Sequence, residues 1–131
     1  MKLFVNPVGP TGHGKDIPPA ITKPTKLKSL EGQNIVRITA GRHFCIALND
    51  QDDIFNWGNG EYAAFGDGAN KNYEVPTLNE HFKYLREEEH LKVKKMKSCE
   101  SYSVALMKNG LLYGWGSNEH GQMGIKAEIG M

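Results

Sequence analysis

Short runs of alternating apolar and polar residues dominate this chain, and two sets of runs follow the same order. In the first set, residues 35–39 are rich in β-branched side chains, residues 43–48 alternate like a half-buried strand, and residues 54–58 form the next run. The polar residues 49–53 between the last two runs are typical of a turn. The pattern predicts short strands joined by tight turns.

The second set repeats the first at a fixed offset. Trp57-Gly58 and Trp115-Gly116 contain the only two tryptophans, which are separated by 115 − 57 = 58 residues. The same offset places Ala47-Leu48 on Ala105-Leu106. An Asn-Gly pair at 109–110 is the strongest short hairpin signal. Strand runs repeated at this spacing predict blades of a β-propeller rather than a helical solenoid.

The repeat divides the 131 residues into three predicted segments. Residues 35–92 form the first full repeat and residues 93–131 form a second, truncated one. Residues 1–34 are expected to end a preceding repeat, with a strand at 3–5, a glycine turn at 9–14, and Pro18, Pro19 and Pro24 in a returning loop. Because no Trp-Gly pair occurs there, an irregular N-terminal arm is the alternative.

A helical insertion is predicted near residues 78–90 of the first repeat. Residues 77–80 match a capping box, and Leu78, Phe82 and Leu85 then share one helix face at i, i+4 and i+7. A solvated helix covering the edge of the blade is one interpretation. A docking element for a partner is the other, because insertions in repeats are where binding evolves.

Composition limits the function. The net charge of +1 shows no basic excess, which disfavours nucleic acid as a partner, and no apolar run approaches the ~18 residues of a membrane span. Two cysteines, Cys45 and Cys99, are too few for a disulfide scaffold, so we expect a soluble protein of a reducing, intracellular compartment, whether nucleus, cytoplasm or organelle. No nucleophile–base pair, metal-ligand cluster or paired carboxylates stand out, and His43 has no counterpart in the second repeat. We therefore expect no enzyme activity and no cofactor.

The residue order in both sets resembles the regulator of chromosome condensation repeat. The first copy carries Ala40-Gly41-Arg42-His43 before its alternating strand. The second copy ends in Gly121-Gln122-Met123-Gly124, close to the Gly-Gln-Leu-Gly turn of the family. The resemblance covers roughly residues 35–126. It departs from the pattern where Cys99 and Ser101 replace the Gly41 and His43 of the first copy, and where 63–66 replace the glycine turn.

This resemblance implies an all-β fold. Each blade would be a four-stranded antiparallel sheet, in a seven-bladed ring. At 58 residues per repeat the chain holds 131/58 ≈ 2.3 repeats, so it is expected to be a piece of a longer chain or to receive blades from elsewhere. Structural positions of the repeat are expected at Gly41, Trp57, Gly58, Gly66, Trp115, Gly116, Gly121 and Gly124.

Two groups of polar residues remain as candidates for partner binding. Loop residues supply the first group, which contains Asp50, Asp52, Asp53, Glu61, Asp67, Asn70 and Asn72. A basic cluster in the first strand of the second repeat supplies the other, which contains Lys92, Lys94, Lys95 and Lys97. A solvated strand face, kept positive to prevent edge pairing, is the alternative for the lysines. The loop 58–60 is a poor phosphate cradle, because Ala63 stands where GxGxxG requires glycine.

The favoured function is a non-catalytic scaffold that holds a protein partner, either alone or within a larger assembly. The resemblance implies an alternative, guanine-nucleotide exchange on a small GTPase, which needs no chemistry beyond differential binding of the nucleotide-free partner. Chromatin association is a third hypothesis, disfavoured by the near-neutral charge.

Overall fold

The structure of the chain is a computed structural model that describes residues 11–14 and 21–117. Short 3-10 turns lie at Lys28–Leu30 and Glu61–Ala63. The described strands and helix, in chain order, are β1 (Ile35–Ala40), β2 (Phe44–Asn49), β3 (Ile54–Gly58), β4 (Tyr73–Leu78), α1 (Glu80–Glu88), β5 (Val93–Cys99), β6 (Tyr102–Met107) and β7 (Leu112–Gly116). The predicted strand at 3–5 and the residues Pro18, Pro19, Gly121 and Gly124 lie outside the described range.

The strands form two antiparallel sheets that repeat the same plan. The first sheet has the order β1-β2-β3-β4 and the second has the order β5-β6-β7. Phe44 pairs with Gly58 in the first sheet, and Tyr102 pairs with Gly116 in the second, at the 58-residue offset. The register of the first strand pair shifts at equivalent points as well. The predicted all-β fold of antiparallel sheets with one short helix is confirmed.

Strand β4 was not predicted from the sequence. The sequence places Asn70 and Asn72 in a loop and predicts a helix over 78–90, and Pro76 stands between them. A proline lacks the amide hydrogen that a central strand needs, so it is confined to edge strands. In the structure β4 lies at the edge of its sheet, where Pro76 is buried.

The helix is shorter than the predicted 78–90, because a different residue caps it. Leu78 still belongs to β4, where it pairs with Phe55. The hydroxyl of Thr77 donates to the carbonyl of Val75 over 2.8 Å, so the expected capping box is not formed. Asn79 is the N-cap instead, and its side chain accepts from the backbone N–H of Phe82 at 3.1 Å.

The buried amide of Asn79 also ties the helix to the first sheet. Its Nδ2 donates to Oδ1 of Asn56 and to the carbonyl of Phe65, both at 2.9 Å. The buried side chain of Asn79 therefore makes three hydrogen bonds, two as a donor and one as an acceptor. This explains why an asparagine rather than Thr77 fixes the beginning of α1.

The two sheets share one apolar core, and Trp115 links the second sheet to the first. Its indole Nε1 donates to the carbonyl of Ala64 at 2.9 Å, and its ring meets Phe82 edge-on with centroids 5.2 Å apart. Gly66 lies so close that an added Cβ would be 3.0 Å from the indole. The buried members of this core are Phe44, Ile46, Leu48, Ile54, Ala64, Phe65, Phe82, Val93, Met96, Ala105 and Met107.

The outward faces of both sheets remain apolar. Ile38 is 63% exposed on the first sheet, whereas Met96, its equivalent at the 58-residue offset, is 6% exposed. Leu112 is 70% exposed on the second sheet, whereas its equivalent Ile54 is 3% exposed. Positions that are buried between the two sheets are thus repeated on the outward faces, as expected of sheets that stack in series around a propeller.

We predict that Gly116→Ala destabilises the chain far more than Gly110→Ala. Both glycines have a positive φ, but a Cβ at Gly116 would lie 2.3 Å from the carbonyl oxygen of Ser101, whereas one at Gly110 meets nothing within 4 Å. Backbone strain is common to both variants. The difference between their losses of unfolding free energy, about 2–3 kcal/mol, therefore measures the close approach at Gly116 alone. Urea unfolding of the two variants measures it, and equal losses would contradict the predicted contact.

We also predict that Asn79→Ala costs about 2–3 kcal/mol of unfolding free energy, because it removes the helix cap and leaves two buried acceptors with one partner fewer. The matched control is Thr77→Ala, whose hydroxyl bonds only to the nearby Val75 carbonyl and which should change stability by less than about 0.5 kcal/mol. Thermal unfolding followed by circular dichroism compares them. A larger loss for Thr77→Ala would show that the sequence-based capping box was right.

Candidate functional site

The antiparallel topology divides the candidate residues between two opposite ends of the sheets. The turn end, as we name it, comprises the β2–β3 turn at 49–53, the β6–β7 turn at 108–111, and the starts of β1 and β5. Asp50, Asp52, Asp53 and Lys92 lie there. The long β3–β4 connection at 59–72 lies at the other end and carries Glu61, Asp67, Asn70 and Asn72. The predicted polar residues therefore do not form one site.

Asn49 shapes the acidic turn of the first repeat. Its side chain is buried, and its Oδ1 accepts from the backbone N–H groups of Gln51 at 3.0 Å and Asp53 at 2.8 Å. Asp52 takes a positive φ of 66°, at the position equivalent to Gly110 in the second repeat. These bonds hold the three aspartates of the turn in fixed directions.

Asp53 points towards the helix. Its carboxylate accepts a hydrogen bond from Arg86, whose guanidinium also donates to the Gln51 carbonyl at 3.2 Å. Hydrogen bonding to Asp53 is the main cause that raises the pKa of Arg86 above its ordinary value. The side chains are only 17% and 26% exposed. Asp53 therefore positions the turn against α1, and its carboxylate is already engaged within the chain.

Asp52 connects the two repeats. Its Oδ1 accepts from Nζ of Lys108, in the equivalent turn of the second sheet, at 2.9 Å. Asp50 instead accepts from the side-chain amide of Asn34, also at 2.9 Å. Both carboxylates therefore have partners inside the chain, although both remain at the surface of the turn end.

A groove opens between the two sheets beside these turns. It has a volume of about 360 Å³, which is within the range of ligand and side-chain pockets. Residues of both repeats form it: β1, β2 and the 49–53 turn from the first sheet, and β5 and Lys108 from the second. Of the predicted candidates, it brings together Asp50, Asp52 and Lys94.

The lysine cluster lies along β5. Val93 and Met96 face the core, whereas Lys92, Lys94, Lys95 and Lys97 are all exposed. Lys94 alone among these four lines the groove. The carbonyl of Lys92 accepts the backbone N–H of Lys108 at 2.8 Å and so continues the pairing of β5 with β6. The cluster therefore contributes one cation to the groove and three to the surrounding strand surface.

Candidates at the opposite end mainly organise their own loop. The side chains of Asn70 and Asn72 accept the backbone N–H groups of Ala63 at 2.7 Å and Gly60 at 3.0 Å. Asp67 accepts the hydroxyl of Tyr73 at 3.3 Å. Burial first, and then the Asp67 charge and hydrogen bond, raise the pKa of Tyr73 above its ordinary value.

The glycine loop at 58–60 has no amide directed at a ligand. The backbone N–H of Asn59 donates to the His43 carbonyl, that of Gly60 to Asn72, and that of Glu61 to the Asn59 side chain. A second cavity beside this loop, lined in part by His43, Glu61 and Glu100, measures only about 10 Å³. That volume is about enough for a single water molecule.

The structural positions predicted for the repeat make equivalent contacts in the two sheets. Gly58 and Gly116 approach the backbone of the preceding turn, and a Cβ on either would be 2.4 Å or less from a carbonyl oxygen. Gly41 lies against the Phe44 ring. Trp57 lies against Gly12 much as Trp115 lies against Gly66. Residues 11–14 thus contact the first sheet where residues 64–66 contact the second.

Three observations concern metal binding, membrane crossing and thiols in the described part of the chain. Across residues 11–14 and 21–117, no group of three His, Cys, Asp or Glu residues could hold a metal ion. The only α-helix described there, α1, is too short and too polar to cross a membrane. Of the two thiols, Cys99 is exposed, whereas burial raises the pKa of Cys45 above its ordinary value.

Residues that sequence reasoning missed hold the site together. Arg37 lines the groove, and Arg86, Asn34 and Asn49 fix the acidic turn. Asn49 carried a usable signal, because an asparagine that begins a turn commonly bonds the backbone two residues later. The partners Arg86 and Asn34 lie 33 and 16 residues from Asp53 and Asp50, and no local pattern identifies them.

Comparison with known proteins identifies the repeat. Residues 100–122 match the family model of the regulator of chromosome condensation (RCC1) repeat. The chain is 30% identical to the human E3 ubiquitin-protein ligase HERC2 over 77% of its own length, and 29% identical to the guanine nucleotide exchange factor SRM1 of Saccharomyces cerevisiae over 81%. It spans 2% of the first relative and 21% of the second.

Solved structures show the same fold. Prp20p of Saccharomyces cerevisiae matches 91% of this chain with a TM-score of 0.63 at 23% identity, and the chain covers 31% of it. Human WBSCR16 matches 90% with a TM-score of 0.56 at 24% identity, and the chain covers 25% of it. The matched repeat, the relatives and the shared sheet architecture agree, and the chain belongs to the regulator of chromosome condensation repeat family, of whose β-propeller it spans a part.

Proposed function

We propose that this stretch of propeller is a non-catalytic scaffold that binds a protein partner through the groove at the turn end. The observation that carries the proposal is the groove itself, about 360 Å³ between the two sheets, lined by side chains of both repeats. A surface formed from two repeats exists only when both sheets are folded and packed together. Such composite surfaces are what repeat proteins use for binding.

Fixed side chains support the same proposal. The acidic turn is held by Asn49 and Arg86, and Asp52 is held by Lys108, so the groove wall is ordered before any partner arrives. Preorganised walls lower the entropic cost of association. At the opposite end, the cavity that the described residues His43, Glu61 and Glu100 line in part measures only about 10 Å³.

Guanine-nucleotide exchange on a small GTPase is the second candidate. The 29% identity with an exchange factor over 81% of this chain favours it, although the chain covers only 21% of that protein. Exchange would use the exposed acidic and polar side chains as contacts to the GTPase. It would require no catalytic group on this chain, because the nucleotide-free partner is stabilised by binding alone.

Site-specific cross-linking tests the scaffold proposal. We predict that a photoreactive p-benzoylphenylalanine at Lys94, in the groove, captures a defined protein from extract of the organism that expresses the chain. The same group at Ala69, an exposed position of the opposite end, should not capture it. Mass spectrometry identifies the products. The same captured proteins at both positions, or none at Lys94, would remove the support for a groove-binding scaffold.

Nucleotide release separates the scaffold from the exchange factor. The scaffold proposal predicts that the chain, added in excess, leaves the release of a fluorescent GDP analogue from a panel of small GTPases unchanged. An acceleration of about tenfold or more that is lost in Asp50→Lys would instead establish exchange through the turn end. Stopped-flow fluorescence provides the rates, and Lys97→Glu, at an exposed position outside the groove, serves as the matched charge-reversal control.

A further inference from the structure

Some charged side chains around the groove at the turn end have partners within the chain, and others have none among the described residues. Asp50 and Asp52 line it, and each already accepts a hydrogen bond, from Asn34 and Lys108 respectively. Arg37 from β1 and Lys94 from β5 line it as well. Neither cation has an ion-pair partner among residues 11–14 and 21–117.

Two available cations therefore face the groove from neighbouring strands, because β1 and β5 are in contact across the two sheets. Of the two carboxylates that line the groove, Asp52 is paired with Lys108, whereas Asp50 bonds the neutral amide of Asn34 and keeps its negative charge. An anionic group that enters the groove would gain two charge-assisted contacts without displacing an existing pair. The groove is lined by three cations, Arg37, Lys94 and Lys108, against two carboxylates, Asp50 and Asp52, which leaves one net positive charge.

An apolar strip runs beside these cations. Val36 is 51% exposed on β1, and Leu48 and Val93 lie behind it at 4% and 3% exposure. A charged group alone would leave this surface in water. An occupant that also carries an aliphatic side chain would cover Val36 and gain hydrophobic free energy from the buried area.

The dimensions indicate the class of occupant. A volume of about 360 Å³ accommodates two or three side chains, not a folded domain. A nucleic-acid backbone presents a row of phosphates and calls for a continuous basic stripe, whereas Lys95 and Lys97, the other exposed lysines of β5, lie outside the groove. An extended peptide alternates its side chains and can present an acidic and an aliphatic group together.

We infer that the groove between β1 and β5 binds an extended acidic segment of a partner protein, with a carboxylate against Arg37 and Lys94 and an aliphatic side chain against Val36. This inference rests on the proposed scaffold function and names the chemistry of the partner at the same surface. Contacts of this kind set specificity through charge complementarity, and they weaken as salt is added.

A direct binding measurement tests the inference with the complete chain. The probe is a fluorescein-labelled heptapeptide of three aspartates alternating with two valines, with glycine at each terminus. One comparison probe replaces the aspartates with lysines, and another replaces the valines with glycines. Fluorescence anisotropy in low and physiological salt should show binding of the first probe, weaker binding of the glycine probe and none of the lysine probe.

Charge reversal locates the binding. The double variant Arg37→Glu/Lys94→Glu should bind the acidic probe at least about tenfold more weakly than the wild-type chain does. The matched variant Lys95→Glu/Lys97→Glu makes the same change in net charge on exposed positions outside the groove and should weaken it by less than about twofold. Circular dichroism confirms that both variants keep the wild-type unfolding midpoint.

Three outcomes would overturn the inference. These are equal losses in the two double variants, no binding of the acidic probe by the wild-type chain, and tighter binding of a labelled single-stranded oligonucleotide than of the peptide. Cross-linking at Lys94 remains a separate measurement. A partner captured there while the acidic probe fails would leave the scaffold proposal standing and reject only the acidic-peptide chemistry.

Discussion

The contact of Trp115 with the preceding repeat holds the described part of the chain together. Its indole donates to the Ala64 carbonyl, lies against Gly66 and packs on Phe82 of the helix. The second sheet buries Val93, Met96, Ala105 and Met107 in the core that it shares with the first sheet, so β5, β6 and β7 depend on this junction. The groove lies between β1 and β5, which contact each other across the same two sheets. The candidate site is therefore a product of packing between repeats rather than of any one loop.

Much of this arrangement could be read from the sequence, because it rests on local patterns. The runs at 35–39, 43–48 and 54–58 and the 58-residue offset identify six of the seven described strands and their common register. Strand β4 was not predicted, because a proline such as Pro76 is compatible only with an edge strand. Tertiary structure decides which strand lies at the edge. The start of α1 was misplaced for a related reason. Asn79 is the N-cap because its side chain also bonds Asn56 and Phe65. These residues are too distant in sequence for a local pattern around residue 79 to include them.

The site was less predictable than the fold. Sequence reasoning selected exposed-looking polar residues, but Asn70 and Asn72 bond within their own loop, and Asp53 bonds Arg86 of the helix. Arg37 was overlooked, because a single arginine within a strand run carries no signal by itself. Its importance comes from Lys94 on the neighbouring sheet, because the two cations together with Lys108 outnumber the carboxylates of Asp50 and Asp52 in the groove. Which charge is available to a partner depends on pairing in three dimensions, and composition does not report it.

The order of the Trp contacts along the chain has a consequence for how the protein is made. Ala64 and Gly66 precede Trp115 by about fifty residues, and Gly12 precedes Trp57 by about forty-five, so the receiving backbone is always synthesised first. On a ribosome, chains emerge from the N-terminus and fold in that direction. Each emerging tryptophan then meets a preceding repeat that already presents its binding surface. Assembly of the blades can thus proceed one repeat at a time during translation, without waiting for the ring to close.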